Sequence, residues 1–214
     1  MTEAAERVNH PLFARLYMRM TSGRKAHGED EHRRTLLAGL TGRVIEVGAG
    51  NGLNFALYPE TVQEVVAVEP EPSLRKAAIA AATEAAVPVE VVDGVAGALP
   101  AEDESFDAAV ASLVLCSVTD QQRALAELRR VVRAGGELRF YEHVIAHPTR
   151  WARVERFADA TFWPHVAGGC HLSRDTGTAI ENAGFRIESE ERFPFTPGPP
   201  VPAIPHILGV ARRP

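Results

Sequence analysis

The sequence has almost no cysteine. Cys116 and Cys170 are the only two in 214 residues. They are too few and too far apart for a disulfide framework, which predicts a reducing, cytoplasmic setting. Long apolar runs are missing as well: no stretch approaches the ~20 residues of a membrane-spanning helix. The first seven residues, Met1 to Arg7, are polar and carry no apolar signal core, so no stable membrane insertion is expected. There is no surplus of positive charge, since 23 Lys and Arg stand against 28 Asp and Glu for a net charge of −5. Nothing in the bulk charge recruits nucleic acid or anionic lipid. Arg129, Arg130 and Arg133 make a local basic cluster, which reads as a solvated helix face. Internal repeats and long linkers are absent too. What remains is the composition of one globular unit, 45% hydrophobic and 24% charged, long enough to bury a core without disulfides or structural metal.

Residues 10–40 read as helical. Leu12, Phe13, Leu16, Tyr17 and Met20 recur at helical spacing and form an apolar stripe expected to pack as a cap on the same domain. From Arg43 onward, strands and helices alternate. Arg43–Gly48, Glu64–Glu69, Val87–Asp93, Phe106–Leu115 and Glu137–Val144 predict strands, and Phe185–Phe193 and His206–Ala211 predict two more. Pro72–Ala86, alanine-rich with proline in its first turn, predicts a helix. So do Asp120–Arg133, stopped by Gly135-Gly136, and Ser173–Ala183, with Ser173 as N-cap and Gly184 beyond its end. A helical stretch is also expected after the glycine-rich turn at 48–52. The pattern is that of a doubly wound α/β fold: a Rossmann-like, seven-stranded, mostly parallel sheet with helices on both faces. A helical cap is expected over 1–41 and the domain proper over 42–214. Six prolines between Pro194 and Pro205 rule out a helix or central strand and predict a stiff surface loop.

The strongest motif is Glu46-Val-Gly48-Ala49-Gly50-Asn-Gly52, directly after a strand. Three glycines at alternate positions let the backbone turn tightly and approach a ligand without Cβ interference. The N–H groups that follow can bind an anionic group. Glu69 ends the next strand, about 20 residues on, where a carboxylate can accept hydrogen bonds from both hydroxyls of a ribose. A dinucleotide-binding protein shares this much, but its fingerprint is G-x-G-x-x-G, whereas the loop here is G-x-G-x-G. Glu46 would repel a pyrophosphate and suits an ammonium, which favours the amino-acid end of S-adenosyl-L-methionine (SAM).

These residues resemble the class I SAM-dependent methyltransferases. The resemblance covers roughly residues 42–190 and includes the glycine loop, Glu69-Pro70, the Leu99-Pro100 turn, Ser105-Phe-Asp107 and Leu128 to Gly136. It implies that Glu46, Gly48, Ala49, Gly50, Gly52 and Glu69 hold the cofactor, that Pro70 and Leu74 pack near the adenosine, and that Gly94, Val95, Ala96 and Leu113 line its site. One departure stands out: Val95 replaces the Asp that many relatives use for the adenine amino group, which leaves the N–H of Ala96 and apolar packing for that task. Leu113 to Val118, Glu142-His-Val144 and Gly169 to Thr176 are similar to a narrower branch that includes the animal alkyl-thiol S-methyltransferases. Its animal members carry an N-terminal membrane anchor, and none is expected in this chain. The resemblance implies methyl transfer to a small, apolar acceptor, with a thiol favoured. Methylation at N, O or C of a lipid, quinone or secondary metabolite, or a SAM-binding module without turnover, are the alternatives.

Transfer from a sulfonium needs positioning and an unprotonated acceptor. His143, beside Glu142 near the end of the fifth predicted strand, and His171, in a loop expected to cover the site, are the candidates for acceptor chemistry. Neighbouring strand residues point opposite ways, so only one of Glu142 and His143 is expected to face the site. Arg174 and Asp175 are expected to begin the next helix in structural roles. Cys116 is expected to line the cofactor as a small packing residue. Histidines 27, 32, 143, 147, 165 and 171 form no short ligand motif, so no metal is expected.

Overall fold

The computed structural model describes residues 11–21, 29–146, 149–166, 168–196 and 203–214. Seven strands form one sheet: β1 (Gly42–Val47), β2 (Val62–Val68), β3 (Val89–Val92), β4 (Phe106–Ser112), β5 (Val132–His143), β6 (Arg186–Phe195) and β7 (Ile204–Arg212). Their order is β3-β2-β1-β4-β5-β7-β6. β7 runs antiparallel to both its neighbours, and the pairs among β1 to β5 are parallel. The order reverses between β1 and β4, which puts a topological switch point at their carboxyl ends.

The central strands are apolar on both faces, as a covered parallel sheet requires. Ile45, Val47, Ala109 and Ala111 share one cluster with Leu125 and Leu128 of α4 (Gln121–Val131) and Ile180 of α7 (Thr176–Asn182). Val44, Val65, Ala108 and Val110 share another with Leu36 and Leu37 of α2 (Glu29–Leu37) and Ala78 of α3 (Pro72–Ala82). Each fully buried leucine here contributes roughly 1.5–3 kcal/mol. The helix starts are fixed by acids: the carboxylates of Glu71, Asp120 and Asp175 accept the N–H of Leu74, Arg123 and Thr178. Three further helices are α1 (Pro11–Thr21), α5 (Thr149–Thr161) and α6 (Trp163–Val166). Among the described residues, no helix is long and apolar enough to cross a membrane.

Several local expectations change. Residues 10–40 hold two helices, with 22–28 outside the described residues. The glycine loop leads into a short 3-10 turn at Phe55–Leu57, not an α-helix. Pro59 forces Tyr58 into an extended conformation (φ −62°, ψ 132°) and ends the turn. Gly135-Gly136 lies inside β5 rather than capping α4, because Val132 is already extended (φ −79°, ψ 129°). Asp175, not Ser173, caps α7. Pro194 and Pro205 stand opposite each other near the connected end of the β6–β7 pair, where a missing N–H is tolerated, so only 197–202 of the predicted loop lies outside the described residues. Helix α5 was not expected, since its run of charged residues hides any apolar period. Arg130 and Arg133 are spent on ion pairs with Glu127, Asp103 and Asp107.

Candidate functional site

The crevice lies at the carboxyl ends of β1, β2 and β4. Gly48, Gly50 and Gly52 all take left-handed backbone angles (φ +65°, +59° and +81°). A side chain at Gly48 would place its Cβ 2.5 Å from Val114, and one at Gly52 would sit 2.8 Å from Phe55 and Ala81. The loop therefore needs glycine both for its angles and for its close neighbours. Gly52→Ala should lower stability by about 2 kcal/mol through left-handed strain and crowding, read as a lower midpoint in urea at an unchanged slope. An alanine variant as stable as the parent would show that the loop is looser than this.

Glu69 is buried directly across from the loop. Its Oε2 accepts the Gly50 N–H at 2.7 Å and its Oε1 the Glu71 N–H at 2.9 Å. Burial pushes its carboxyl up to about 7, against the pull of these two bonds. Each oxygen keeps a second lone pair for a ligand hydroxyl. Arg75 ties the segment together through Glu69 O, Pro70 O and the Asp93 carboxylate. Leu74 is buried at the start of α3. Beyond β3, Gly94 packs between Val68 and Pro100, where a Cβ would come within 2.9 Å of both. Val95 pairs with Ala98 as an isolated bridge, and Ala96 lies in the two-residue turn between them.

Glu46 differs from the expectation that it meets a ligand's ammonium. It is buried, with Oε1 accepting from Asn54 Nδ2 at 2.8 Å and Oε2 from the Tyr58 hydroxyl at 2.7 Å. Burial pushes it up to about 7 despite both bonds. Asn54 in turn accepts from the buried Arg33 of α2, which also reaches Ser112 Oγ at 3.1 Å. The chain Arg33–Asn54–Glu46–Tyr58 was not read from the sequence. An Asn and a Tyr soon after a G-x-G-x-G loop are a weak signal for it, and nothing in the sequence points to Arg33.

Helix α1 crosses the mouth. The Tyr17 ring is 3.5 Å from where a Gly50 Cβ would lie, and Phe13 abuts Gly168. Asn51 Nδ2 donates to Thr21 Oγ1 at 3.0 Å.

On the far side of β4 the chain turns through Leu113, a non-glycine residue at φ +60°, whose N–H donates to Tyr141 O at 2.7 Å. Glu142 then accepts the N–H groups of Val114, Leu115 and Cys116 at 3.0, 2.9 and 3.0 Å. It is fully buried, as the alternation along β5 requires, and its neighbour His143 points to the other face. There His143 Nδ1 lies 3.1 Å from Cys170 Sγ and 3.7 Å from Cys116 Sγ. Hydrogen bonding from Cys116, and then from His143, pulls the Cys170 thiol down to about 5 against burial. The Cys116 thiol is pushed well up by that same bond and by burial. For His143, burial disfavours the proton, but the bond to Cys170 together with the negative charges of Cys170, Glu142 and Glu29 outweighs it, and the imidazole is raised. Cys116 packs with Cys170, Leu172 and Ile204 and also belongs to this side-chain cluster.

His171 is not in that cluster. Its N–H donates to Cys116 O at 2.8 Å, but its ring turns to Asp159, with Nδ1 3.9 Å from Oδ2 and the side chain 36% exposed. Asp159 also accepts the N–H groups of Leu172 and Ser173, which explains why Ser173 is not a helix cap. Arg174 is structural, donating to Leu115 O at 2.7 Å.

Next to His143, His206 stands edge-on at 4.4 Å between ring centres. Tyr141, Phe193, Phe195 and His32 continue this aromatic wall. Tyr141 Oη and His32 Nδ1 are buried in it without a hydrogen-bond partner among the described residues. A separate cavity of about 230 Å³ is lined by Gly39, Asp107, Arg133, Gly136 and Arg212. It opens at the amino ends of the strands, the wrong end of a parallel sheet for a ligand.

Comparison with known proteins agrees with this geometry. Residues 45–140 match the family described as methyltransferase domain. The chain is 34% identical over 207 residues to thiol S-methyltransferase TMT1B of Homo sapiens, covering 89% of this chain and 80% of that protein. It is 30% identical over 164 residues to phosphatidylethanolamine N-methyltransferase of Cereibacter sphaeroides, covering 73% and 75%. The crystal structure of geranyl diphosphate C-methyltransferase from Streptomyces coelicolor A3(2), in complex with S-adenosyl-L-homocysteine among other ligands, superposes with a TM-score of 0.67. It is 15% identical and covers 86% of this chain and 78% of that one, a likeness of fold alone.

Proposed function

Because the chain belongs to the class I SAM-dependent methyltransferases, in the branch that contains thiol S-methyltransferase TMT1B, we propose that it methylates the sulfur of a small, apolar thiol. One arrangement carries the reading: the glycine loop and Glu69 are bonded to each other at the switch point, and an aromatic, histidine-bearing wall stands on β5 and β7 at the same end of the sheet. The residues suit the cofactor. Gly48, Ala49, Gly50 and Gly52 would border its methionine portion and Glu69 its ribose, with Pro70, Leu74, Gly94, Val95, Ala96 and Leu113 around the rest. Glu46 would act on the loop through Asn54 and Tyr58 rather than by contact.

SAM, when bound, supplies a methyl group on a sulfonium that is already activated, so the protein has to orient the partners and keep the acceptor ionised. A free thiol, with a pKa of ~8.5, is only a few per cent thiolate at neutral pH. His143 is the group placed to raise that fraction, and the aromatic wall offers the acceptor's carbon skeleton an apolar bed. Residues 1–41 would act as a cap, as the contact of Tyr17 with Gly50 suggests, over a methyltransferase domain at 42–214. Two free cysteines suit work in the reducing cytoplasm.

The test is a panel of alkyl thiols, phenols, amines and phosphatidylethanolamine with methyl-labelled SAM, read as S-adenosylhomocysteine formed. Thiols should lead. Turnover confined to phosphatidylethanolamine would favour N-methylation, the second reading that the Cereibacter relative supports, and would end the thiol assignment.

Glu69→Ala should weaken SAM binding by roughly 1.5–3 kcal/mol, about tenfold or more, the worth of hydrogen bonds to a charged acceptor. The pH dependence has a definite sign. The carboxyl is raised from 4.5 to about 7, so it takes up a proton as pH falls through that range. Ribose hydroxyls donate to the carboxylate, so calorimetric affinity for SAM should fall on acidification through about 7, and Glu69→Gln should lose this slope. A flat profile in the parent protein would remove Glu69 from the ribose site.

A further inference from the structure

We propose that Cys116, His143 and Cys170 form a binding site for one Zn2+ ion, whose fourth position receives the acceptor thiol as its thiolate. The site rests on geometry alone, whereas the task of its fourth position rests on the thiol-methylation reading.

The three donor atoms lie within 4.8 Å of one another, with Nδ1 of His143 at 3.1 Å from one sulfur and 3.7 Å from the other. In a tetrahedral zinc site, bonds of about 2.3 Å to sulfur and 2.0–2.1 Å to nitrogen set the donors roughly 3.5–3.8 Å apart. Each pair is within about 1 Å of that spacing, so an ion can enter with small side-chain movements. Two thiolates and an imidazole are a borderline-soft set that suits zinc and is foreign to calcium or magnesium, which take oxygen. Among the described residues the set stops at three. Three protein ligands and one open position are the pattern of zinc sites that bind substrate, whereas structural sites close with a fourth.

Each donor is also held from behind, as metal ligands require. The N–H of Cys116 is held by Glu142 and its C=O by the N–H of His171. The ring of His143 is wedged edge-on against His206, whose Nδ1 lies 2.8 Å from Ile204 O. Cys170 follows Gly168 and Gly169, both left-handed, and a Cβ on Gly169 would fall 2.8 Å from Ser117 O. Only glycine lets that loop bring its sulfur so close to the strand ends.

Consecutive donors are 27 residues apart in sequence, which is why no ligand motif is visible there. Loading releases two protons to solvent, that of the Cys116 thiol and the one shared between Cys170 and His143, and leaves the zinc centre neutral. An acceptor R–SH then forms a sulfur–zinc bond as its proton leaves to solvent. A lone pair on that sulfur forms the new bond to the methyl carbon while the methyl–sulfonium bond breaks. The electron pair of the broken bond stays on S-adenosylhomocysteine, and the uncharged thioether leaves the metal. His143 thus acts as a ligand, and no proton passes through it.

The test starts from full-length protein that is reduced, stripped with a chelator and titrated with Zn2+ against a chromogenic competitor. One Zn2+ per chain is expected. Cys170→Ser and His143→Ala should each lose affinity by more than the roughly ten- to hundredfold that an outer partner is worth, while calorimetric SAM binding, unchanged, shows that they fold. Co2+ in place of Zn2+ should give thiolate-to-metal charge-transfer and tetrahedral ligand-field bands, which shift when 1-propanethiol is added. No zinc beyond that held by the Cys116→Ser/Cys170→Ser variant would overturn the site, as would a Cys116–Cys170 disulfide in protein purified under air. Zinc bound without any thiol turnover would leave the site standing and sink the thiol reading. Full thiol turnover by metal-free enzyme would do the reverse and remove the metal from the reaction.

Discussion

Replacing His143 with alanine is expected to cut turnover of a thiol acceptor by about a hundredfold or more, with the calorimetric affinity for SAM unchanged. The split follows from position. The ring stands at the carboxyl end of β5 with Nδ1 toward Cys116 and Cys170, away from the glycine loop and Glu69. An interaction made only on the acceptor side lowers kcat/KM without touching the donor. His171→Ala is the control. Its ring lies on the outer side of its loop, partly exposed and 3.9 Å from Asp159, a pair worth ~0–1 kcal/mol. It should lose little activity. The two histidines were equal candidates in the sequence, and the fold separates them. Equal losses in both variants, or a fall in SAM affinity that matches the fall in turnover for His143→Ala, would show that neither handles the acceptor.

The sheet was legible because its determinants are local. Runs such as Val65–Val68 and Ala108–Ala111 are apolar on both faces, which only a covered parallel sheet can use, and the helices between them carry start signals within one turn. Helix ends were less legible. Gly135-Gly136 looks like a stop, yet the chain turns into β5 three residues earlier, because Val132 gains more from joining the sheet beside Phe106 than from extending α4. Ser173 and Asp175 are both good caps, and the choice between them depends on Asp159, which takes Ser173 from another helix.

In the site, what a loop and one strand tip build was visible, and what several distant segments build was not. Gly48, Gly50, Gly52 and Glu69 lie within about one βα unit, so spacing alone predicts that they meet. The partners of Glu46 flank the 3-10 turn, and Arg33 of α2 reaches them only through Asn54. Its reading as an ammonium contact followed from charge alone, and charge does not reveal that Asn54 and Tyr58 use both its oxygens. The Cys116–His143–Cys170 cluster is the extreme case: a strand-end turn, a strand tip and a loop before α7 converge only after the sheet is ordered.

Glu142→Ala should be the most damaging single change to stability, by about 3–5 kcal/mol. Three backbone N–H groups, of Val114, Leu115 and Cys116, end on this one carboxylate. Each buried donor left without a partner costs about 1–3 kcal/mol. The sum is reduced because a buried carboxylate is itself costly: burial raises its pKa even against those three bonds. The loss should appear as a fall in Tm of about 10 °C or more for a chain of this size. Glu142→Gln should fall between, since its amide oxygen can keep the two N–H groups now on Oε1 while its NH2 faces the N–H of Cys116. The same three bonds hold Leu113 in its left-handed turn and aim Cys116 at His143. The alanine variant should therefore lose thiol turnover even at temperatures where it stays folded, whereas SAM affinity, carried by the glycine loop and Glu69, should fall far less. A variant that melts with the parent, or that loses both activities in step, would mean that the 113–116 turn is held by something other than this carboxylate.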